Sequence, residues 1–326
     1  MKILYFTDTH IRATNPKNRL DNFFETLKIK INEVAEISIK ENVDFVLHGG
    51  DLFDRPDTSI SIVTEFAKIF QKFQAPIYIV SGNHDIFGHN YKTLNRTMLG
   101  LLDSFNLIKL VNDKKIILEK DGIKVQLTSN PFVAGMDAEA NRYRYIVSER
   151  NPDVNYQIHM THGFLTDRPF LKNVPHTLIS DLLDTEADIT LCGHYHFGFK
   201  TQKIEGKYFI NPGALVRISN SISEINRKPK VVILELTDHI DVREIYLKTA
   251  PKGDIVLDRG EIERHKFKQA KIYEFKEIID STTKQNYLTV YDILNEIATN
   301  ESIEDDVRNE AVSRIEKQQK RGAEFY

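Results

Sequence analysis

Apolar and polar positions change in blocks along the first part of the chain. Ile3–Phe6 is an apolar run of strand length. Leu20–Lys40 follows, with Phe23, Phe24, Leu27, Ile31, Val34, Ala35 and Ile39 at the spacing of a helix with one apolar face. Val43–Leu47 reads as a second strand. Ile60–Phe73 reads as a second helix, with Ile62, Val63, Phe66, Ile69, Phe70 and Phe73 on its apolar side. Ile77–Val80 is a third strand. This β-α-β-α-β order predicts an α/β layer fold with sites at the carboxyl ends of strands.

The middle of the chain is richer in strands. Leu107–Val111, Ile116–Glu119 and Ile123–Thr128 are short strand candidates, the last two joined by the hairpin signal Asp121-Gly122. Gln157–Thr161, Asp188–Cys192, Phe197–Lys203, Tyr208–Ile210, Val231–Leu236 and Ile240–Leu247 add more. The sum predicts two packed sheets with helices outside. After about Lys252 the pattern turns helical: a charged Lys266–Ile279, then Tyr287, Val290, Tyr291, Leu294 and Ile297 at helical spacing. Ser302 is a candidate N-cap before Ile303, Val307, Ala311 and Ile315. A main domain over residues 1–250 and a small helical module over 251–326 are expected.

Polar clusters interrupt the apolar runs in a fixed manner. Asp8-Thr-His10, Gly50-Asp51-Leu-Phe-Asp54, Gly82-Asn83-His84-Asp85, Thr161-His162-Gly163 and Gly193-His194-Tyr-His196 each close or follow a predicted strand. Together they supply Asp, Asn and His but no thiolate, a donor set for borderline divalent metals rather than a structural zinc cluster. Asp8 and His10, and again His194 and His196, stand two apart, which on extended chain turns both side chains to one side. Asp51 has two oxygens and can bridge two ions, and Asn83 offers a neutral amide oxygen. With His162, these seven ligands suit a pair of ions about 3.5–4 Å apart, an arrangement for attack by hydroxide on a phosphate ester. His84, beside a ligand but not needed as one, is the candidate general acid, and Asp85 the group expected to hold its imidazole protonated and oriented.

Composition narrows the partners. The 326 residues carry a net charge of −3, with a pI near 6.4. That excludes a globally basic DNA coat, so a nucleic-acid role needs local basic patches, bound cations or a partner. Candidate patches are Arg264, Lys266, Lys268 and Lys271 around Phe267, and Arg217 with the loop Arg227-Lys-Pro-Lys230. The first has a plainer reading as a solvated helix face, and the second follows the site in sequence, where it could steer a polyanion. Cys192 is the single cysteine, read as a buried thiol on a strand in a reducing compartment. No apolar run is long enough for a membrane span. The opening Lys2-Ile-Leu-Tyr-Phe lacks a signal-peptide shape, so a cytoplasmic location is expected. Of the other histidines, His48 and His159 are expected on strands as hydrogen-bonded residues near the core. His89 is a candidate substrate contact, and His176, His239 and His265 carry no assignment.

The ordered series Asp-x-His, Gly-Asp-x-x-Asp, Gly-Asn-His-Asp, Thr-His-Gly and Gly-His-x-His resembles the calcineurin-like metallophosphoesterases, over roughly Met1 to Leu247. The resemblance implies a four-layer β-sandwich flanked by helices, with a dinuclear centre between the sheets. It assigns Asp8, His10, Asp51 and His196 to one ion and Asp51, Asn83, His162 and His194 to the other. His84 would be the catalytic histidine, Asp85 its partner, and Asp54 an orienting group behind the ligands. Mn²⁺ is the expected metal, with Fe²⁺, Ni²⁺, Zn²⁺ or Mg²⁺ as alternatives. Within the superfamily, Leu47-His-Gly-Gly-Asp51-Leu-Phe-Asp54 and Asn211-Pro-Gly-Ala-Leu-Val-Arg217 resemble the SbcD/Mre11 type of DNA-repair nuclease. That likeness implies a DNA substrate, an SbcC/Rad50-type ABC ATPase partner held through C-terminal helices, and a possible homodimer. The chain shows no clear mixed α/β cap. The competing readings are a phosphoesterase for cyclic nucleotides, nucleotides or phosphomonoesters, and a non-catalytic scaffold that keeps the fold.

Overall fold

The structure is a computed structural model and describes residues 1–260, 263, 266–269, 271–273 and 305–323. Met1–Asp258 form one compact unit, and a second begins at Arg259. The first unit runs past the expected boundary at 250 because residues up to Asp258 fold back on the N-terminal segment. Leu20 N donates to Val256 O, and Asp258 N donates to Asn18 O.

Among the described residues, fourteen strands build two large sheets and a small pair. They are β1 Lys2–Phe6, β2 Phe45–His48, β3 Ile77–Ile79, β4 Lys109–Leu110, β5 Lys115–Lys120, β6 Ile123–Asn130, β7 Tyr156–Gly163, β8 Leu165–Thr166, β9 Thr177–Leu178, β10 Ile189–His194, β11 Gln202–Ile204, β12 Lys207–Ile210, β13 Lys230–Leu236 and β14 Ile240–Tyr246. The first sheet has the order β14-β13-β1-β2-β3-β4, the second β11-β12-β10-β7-β6-β5, and β8 pairs with β9. Both sheets are parallel at their centres, and such strands are buried on both faces. In β1, Leu4 and Phe6 face the helices α1 (Phe23–Lys40) and α2 (Ile60–Phe70). Ile3 and Tyr5 face the second sheet, against Leu127, Ile158, Met160 and Leu191. The far face of the second sheet is covered by loops and the 3₁₀ turns Glu139–Tyr145 and Ile179–Asp181, around Tyr145, Leu182 and Cys192. The layers are therefore helix, sheet, sheet and an irregular outer cover, the mixed α/β sandwich expected.

Helix α1 starts where Asn22 accepts the amide of Glu25 with its side-chain oxygen at 3.2 Å, an N-cap worth about 1 kcal/mol. At the hairpin, Asp121 (φ 49°) and Gly122 (φ 77°) both take left-handed conformations, as a two-residue primed turn requires. One expected strand is corrected. Phe197–Lys203 pairs only from Gln202, because Gly198 turns the chain at φ 61° and sends Phe199 N to Asn211 O. The run Leu107–Val111 pairs only over Lys109–Leu110.

In the second unit the helix Asp305–Ala323 carries Asp305 and Asp306 in its first turn, and Arg314 pairs with Glu310. Lys266–Gln269 and Lys271–Tyr273 are helical. Arg264, His265, Tyr287, Val290, Tyr291, Leu294, Ile297, Ser302 and Ile303 lie outside the described residues.

Candidate metal centre

Strand register places the polar clusters at one edge. Phe6 of β1 pairs with His48 of β2, and His48 with Ile79 of β3, so the three loops that follow leave the sheet side by side. In the second sheet Gly193 pairs with His162, at the same end of β10 and β7. The two parallel sheets thus deliver their carboxyl ends to one place, where open α/β sheets collect ligands.

The loops are bent, not extended. Asp8 (φ 52°), His10 (φ 43°), Asp51 (φ 52°) and His194 (φ 78°) all adopt the left-handed region. Each costs roughly 1–2 kcal/mol for a residue with a Cβ. A backbone ladder compensates: Asp8 N donates to Gly50 O, His10 N to Asp51 O, and Ile11 N to Leu52 O, at 2.9–3.1 Å. The expectation that extended two-residue spacing aligns these pairs is therefore corrected. Asp8 and His10 converge through left-handed turns, while His194 and His196 fall into different donor groups. Gly50 has φ 102°, and a Cβ there would run into the His162 ring, so only glycine lets the two loops meet.

Beside a group of His10, Asp54 and His84, two donor groups share a carboxylate: Asp8, His10, Asp51 and His196, and Asp51, His162 and His194. In each the ligand atoms lie within 4.8 Å of one another. Asp51 belongs to both. His10 Nε2 is 3.0 Å from His196 Nε2 and 3.6 Å from Asp51 Oδ2, and His162 Nε2 is 3.3 Å from the same oxygen. Asp51 Oδ2, His162 Nε2 and Asn83 Oδ1 are buried with no hydrogen-bond partner. Buried lone pairs left unmatched are costly, and the first two sit among carboxylates and imidazoles, as donors waiting for a cation would. The backs of these groups are held. His162 Nδ1 donates to Gly49 O at 2.7 Å, which leaves Nε2 as the free lone pair. Thr7 Oγ1 and the amide of His194 donate to Asp8. The donor set and its spacing fit two divalent ions.

The electrostatics of the bare donors agree. Burial works to raise the Asp51 carboxyl, but His162 outweighs it and holds the group well below the ordinary range. For His162, burial is overcome by Asp51, and the imidazole is raised to about 9. Asp8 is likewise lowered despite burial, by His196 and His162. His196 is raised against burial by its bond to Asp8. Burial lowers His10 to about 3 and His194 to about 4. The raised imidazoles of His162 and His196 thus offset the two carboxylates in the absence of a metal, and metal binding must displace the protons they hold.

His84 stands at the edge of the first group, its ring edge-on to His10 at 4.8 Å. Its amide donates to Asp51 Oδ1, and its Nδ1 donates to Asp54 O at 2.9 Å. Nε2 is therefore the nitrogen free to exchange a proton. The expected Asp85–His84 pair does not form. Asp85 is fully buried, and its carboxylate accepts the amides of Gly82 (2.9 Å), Phe53 (3.0 Å) and Leu52 (3.3 Å). It clamps two loops together, and the backbone carbonyl of Asp54 takes the role assigned to it. The Asp54 side chain lies 3.7 Å from His10 Nδ1 and pairs with Arg12 at 3.0 Å.

His48 accepts the Gly50 amide, and His159 sits between Thr128 and Arg144 O; both are structural. Sequence reasoning missed Phe132, whose ring lies 5.7 Å from His194 and 5.6 Å from His89. Its only signal was its place after β6. Arg217 is corrected: it is buried and donates to Arg227 O and Pro251 O. Lys30, Arg19 and Arg227 in turn satisfy carbonyls of the irregular 214–217 segment, which no sheet ladder serves.

The family model described as calcineurin-like phosphoesterase matches residues 1–198, and the chain belongs to that family. Membership implies a metal-dependent phosphoester hydrolase. Among curated relatives, the DNA double-strand break repair protein Mre11 of Sulfolobus acidocaldarius is 26% identical over 231 residues, 68% of this chain and 54% of that protein. The protein of the same name from Archaeoglobus fulgidus is 23% identical over 239 residues, 67% and 50% of the two chains. An uncharacterized metallophosphoesterase, YhaO of Bacillus subtilis, is 24% identical over 178 residues, 53% and 41%. The chain spans about half the length of these relatives. The solved structure of an archaeal phosphodiesterase covers 76% of this chain and 100% of its own, at 19% identity and a TM-score of 0.37. Among the described residues no helix is long and apolar enough to cross a membrane.

Proposed function

We propose that this chain is a dinuclear-metal-dependent phosphodiesterase that hydrolyses the phosphodiester bonds of DNA. Asp8, His10, Asp51 and His196 would hold one ion, and Asp51, Asn83, His162 and His194 the other. The observation that carries the reading is Asp51, a buried carboxylate common to two donor groups, with an unmatched oxygen between His10 and His162. Bound there, two divalent ions supply a water of lowered pKa and positive charge for the phosphoryl oxygens. The protein supplies the rest. Gly49 O and the Asp8 contacts fix the donors, so little reorganises when substrate arrives. His84, with Nδ1 held by Asp54 O, presents Nε2 to the leaving oxygen and gives it a proton as the P–O bond breaks. DNA as substrate, a repair role and an SbcC/Rad50-type ATPase partner rest on the likeness to the relatives, and Mn²⁺ on the donor chemistry.

The test is hydrolysis by the purified chain with Mn²⁺ of linear duplex DNA, single-stranded DNA and bis-p-nitrophenyl phosphate, with His84→Ala as control. DNA degradation lost in the variant is expected. Cleavage of the small diester alone would reject DNA as the substrate of the isolated chain and favour a small-substrate phosphoesterase.

A further inference from the structure

A cavity of about 690 Å³ borders the loop that carries His196, between that loop and the edge strand β14. Its walls combine Phe197, Phe199 and Tyr246 with Lys200, Lys228 and Lys230. Glu244 is the one carboxylate among the lining residues, and it is taken by Lys230 at 2.7 Å. Lys200 and Lys228 are exposed and have no carboxylate partner among the described residues. Arg227, also on the wall, is spent on the carbonyls of Ala214 and Val216. A groove with unmatched cations in a chain of net charge −3 is a local feature, not a consequence of overall composition.

We infer that this groove binds a single-stranded stretch of polynucleotide that continues from the metal centre, and the inference rests on the function proposed above. Cations that track a backbone, interleaved with rings on which bases stack, are what single strands require. Tyr246 is 51% exposed, with Lys230 Nζ 5.9 Å from its ring centroid, so part of the ring stays open to a base beside a cation. The volume is that of a small-ligand pocket and takes one or two nucleotides, not a length of duplex. Continuity with the site is covalent. Phe197 follows His196 directly, and Pro212 leads into Gly213-Ala214, whose Ala214 amide donates to His196 O at 2.9 Å. Gly213, at φ 81°, lets that backbone close on the His196–Phe197 peptide.

The test uses Lys200→Ala/Lys228→Ala and Tyr246→Ala. Binding of a fluorescein-labelled oligothymidylate of roughly 12 nucleotides is followed by anisotropy across a salt series, in a His84→Ala background with Mn²⁺. Hydrolysis of bis-p-nitrophenyl phosphate is measured with His84 intact. The double-lysine variant should lose affinity and flatten the slope of log K against log salt by about 1.4, at ~0.7 per lost phosphate contact. Tyr246→Ala should lower affinity by roughly fivefold to a hundredfold and leave the slope unchanged. Small-diester turnover should be unaffected in both. Unchanged oligonucleotide affinity and slope would overturn the groove, as would an equal loss on a duplex probe or a parallel fall in small-diester turnover. If the parent degrades DNA while the groove variants bind as it does, the groove alone fails. If the parent hydrolyses only the small diester and binds no oligonucleotide, the nuclease reading fails with it.

Discussion

Replacing Asp85 by alanine tests the largest departure from the sequence reading. The carboxylate accepts two short amide bonds, from Gly82 and Phe53, and a longer one from Leu52, all buried. An alanine leaves those amides without partners. Each buried orphan costs about 1–3 kcal/mol; counting ~1.5 for each of the two short bonds gives about 3 kcal/mol. For a unit of this size that is a fall in Tm of roughly 6–12 °C. The clamp joins the loop that bears Asp51 to the loop that bears Asn83, so metal affinity should fall with stability. Asp85→Asn keeps one acceptor oxygen and should fall between alanine and the parent. Differential scanning calorimetry with and without Mn²⁺ reads the stability, and metal titration reads the affinity. If Asp85→Ala melts within about 2 °C of the parent while the pH–rate profile on a small diester moves, Asp85 acts on His84 and the clamp is wrong.

His84→Ala should keep two ions per chain by elemental analysis and lose about 10²–10⁴ in turnover on DNA. It should lose less on p-nitrophenyl esters, whose leaving group needs no proton, and an equal loss on both would remove the acid role. Asp51→Asn should bind fewer than two ions per chain under conditions where the parent binds two, and retention of both would reject the shared carboxylate. Mn²⁺ titration near pH 7 should release protons from His162 and His196, whose imidazoles are raised by Asp51 and Asp8. Calorimetry in two buffers of different ionisation enthalpy gives their number, and a heat independent of buffer would contradict the pairing. In metal-free protein the raised His162 contributes stability that is complete below its unfolded pKa of roughly 6.5. That stability is lost as pH rises through about 9. Its Tm should therefore fall across that window, and the fall should vanish in His162→Asn; a Tm that rises with pH would reverse the assignment.

The sequence by itself determined the elements of the first half and the Asp and His donors that the structure gathers at strand ends. Apolar runs of strand length ending in Asp, Asn or His are a local signal, and β1, α1, β2, α2 and β3 followed from periodicity within a residue or a few. The absence of thiolate and the number of imidazoles restricted the metals without any coordinates. What only the tertiary structure decided were facts that depend on partners distant in sequence. Which oxygen of Asp51 stays unmatched depends on His84, His162 and His10, contributed by three other strand ends. The left-handed turns at Asp8, His10, Asp51 and His194 are intrinsically unfavourable, so propensity argues against them, and only the ladder between loops stabilises them. Asp85 read as a partner of its neighbour His84 because the two are adjacent in the chain. In space its nearest donors are the amides of Phe53 and Leu52, over thirty positions away, together with that of Gly82. Arg217 and Lys228 look alike as cations in the sequence. Packing turns the first inward to unpaired carbonyls and leaves the second exposed beside Tyr246, because burial is a property of the assembled sheets and not of the residue.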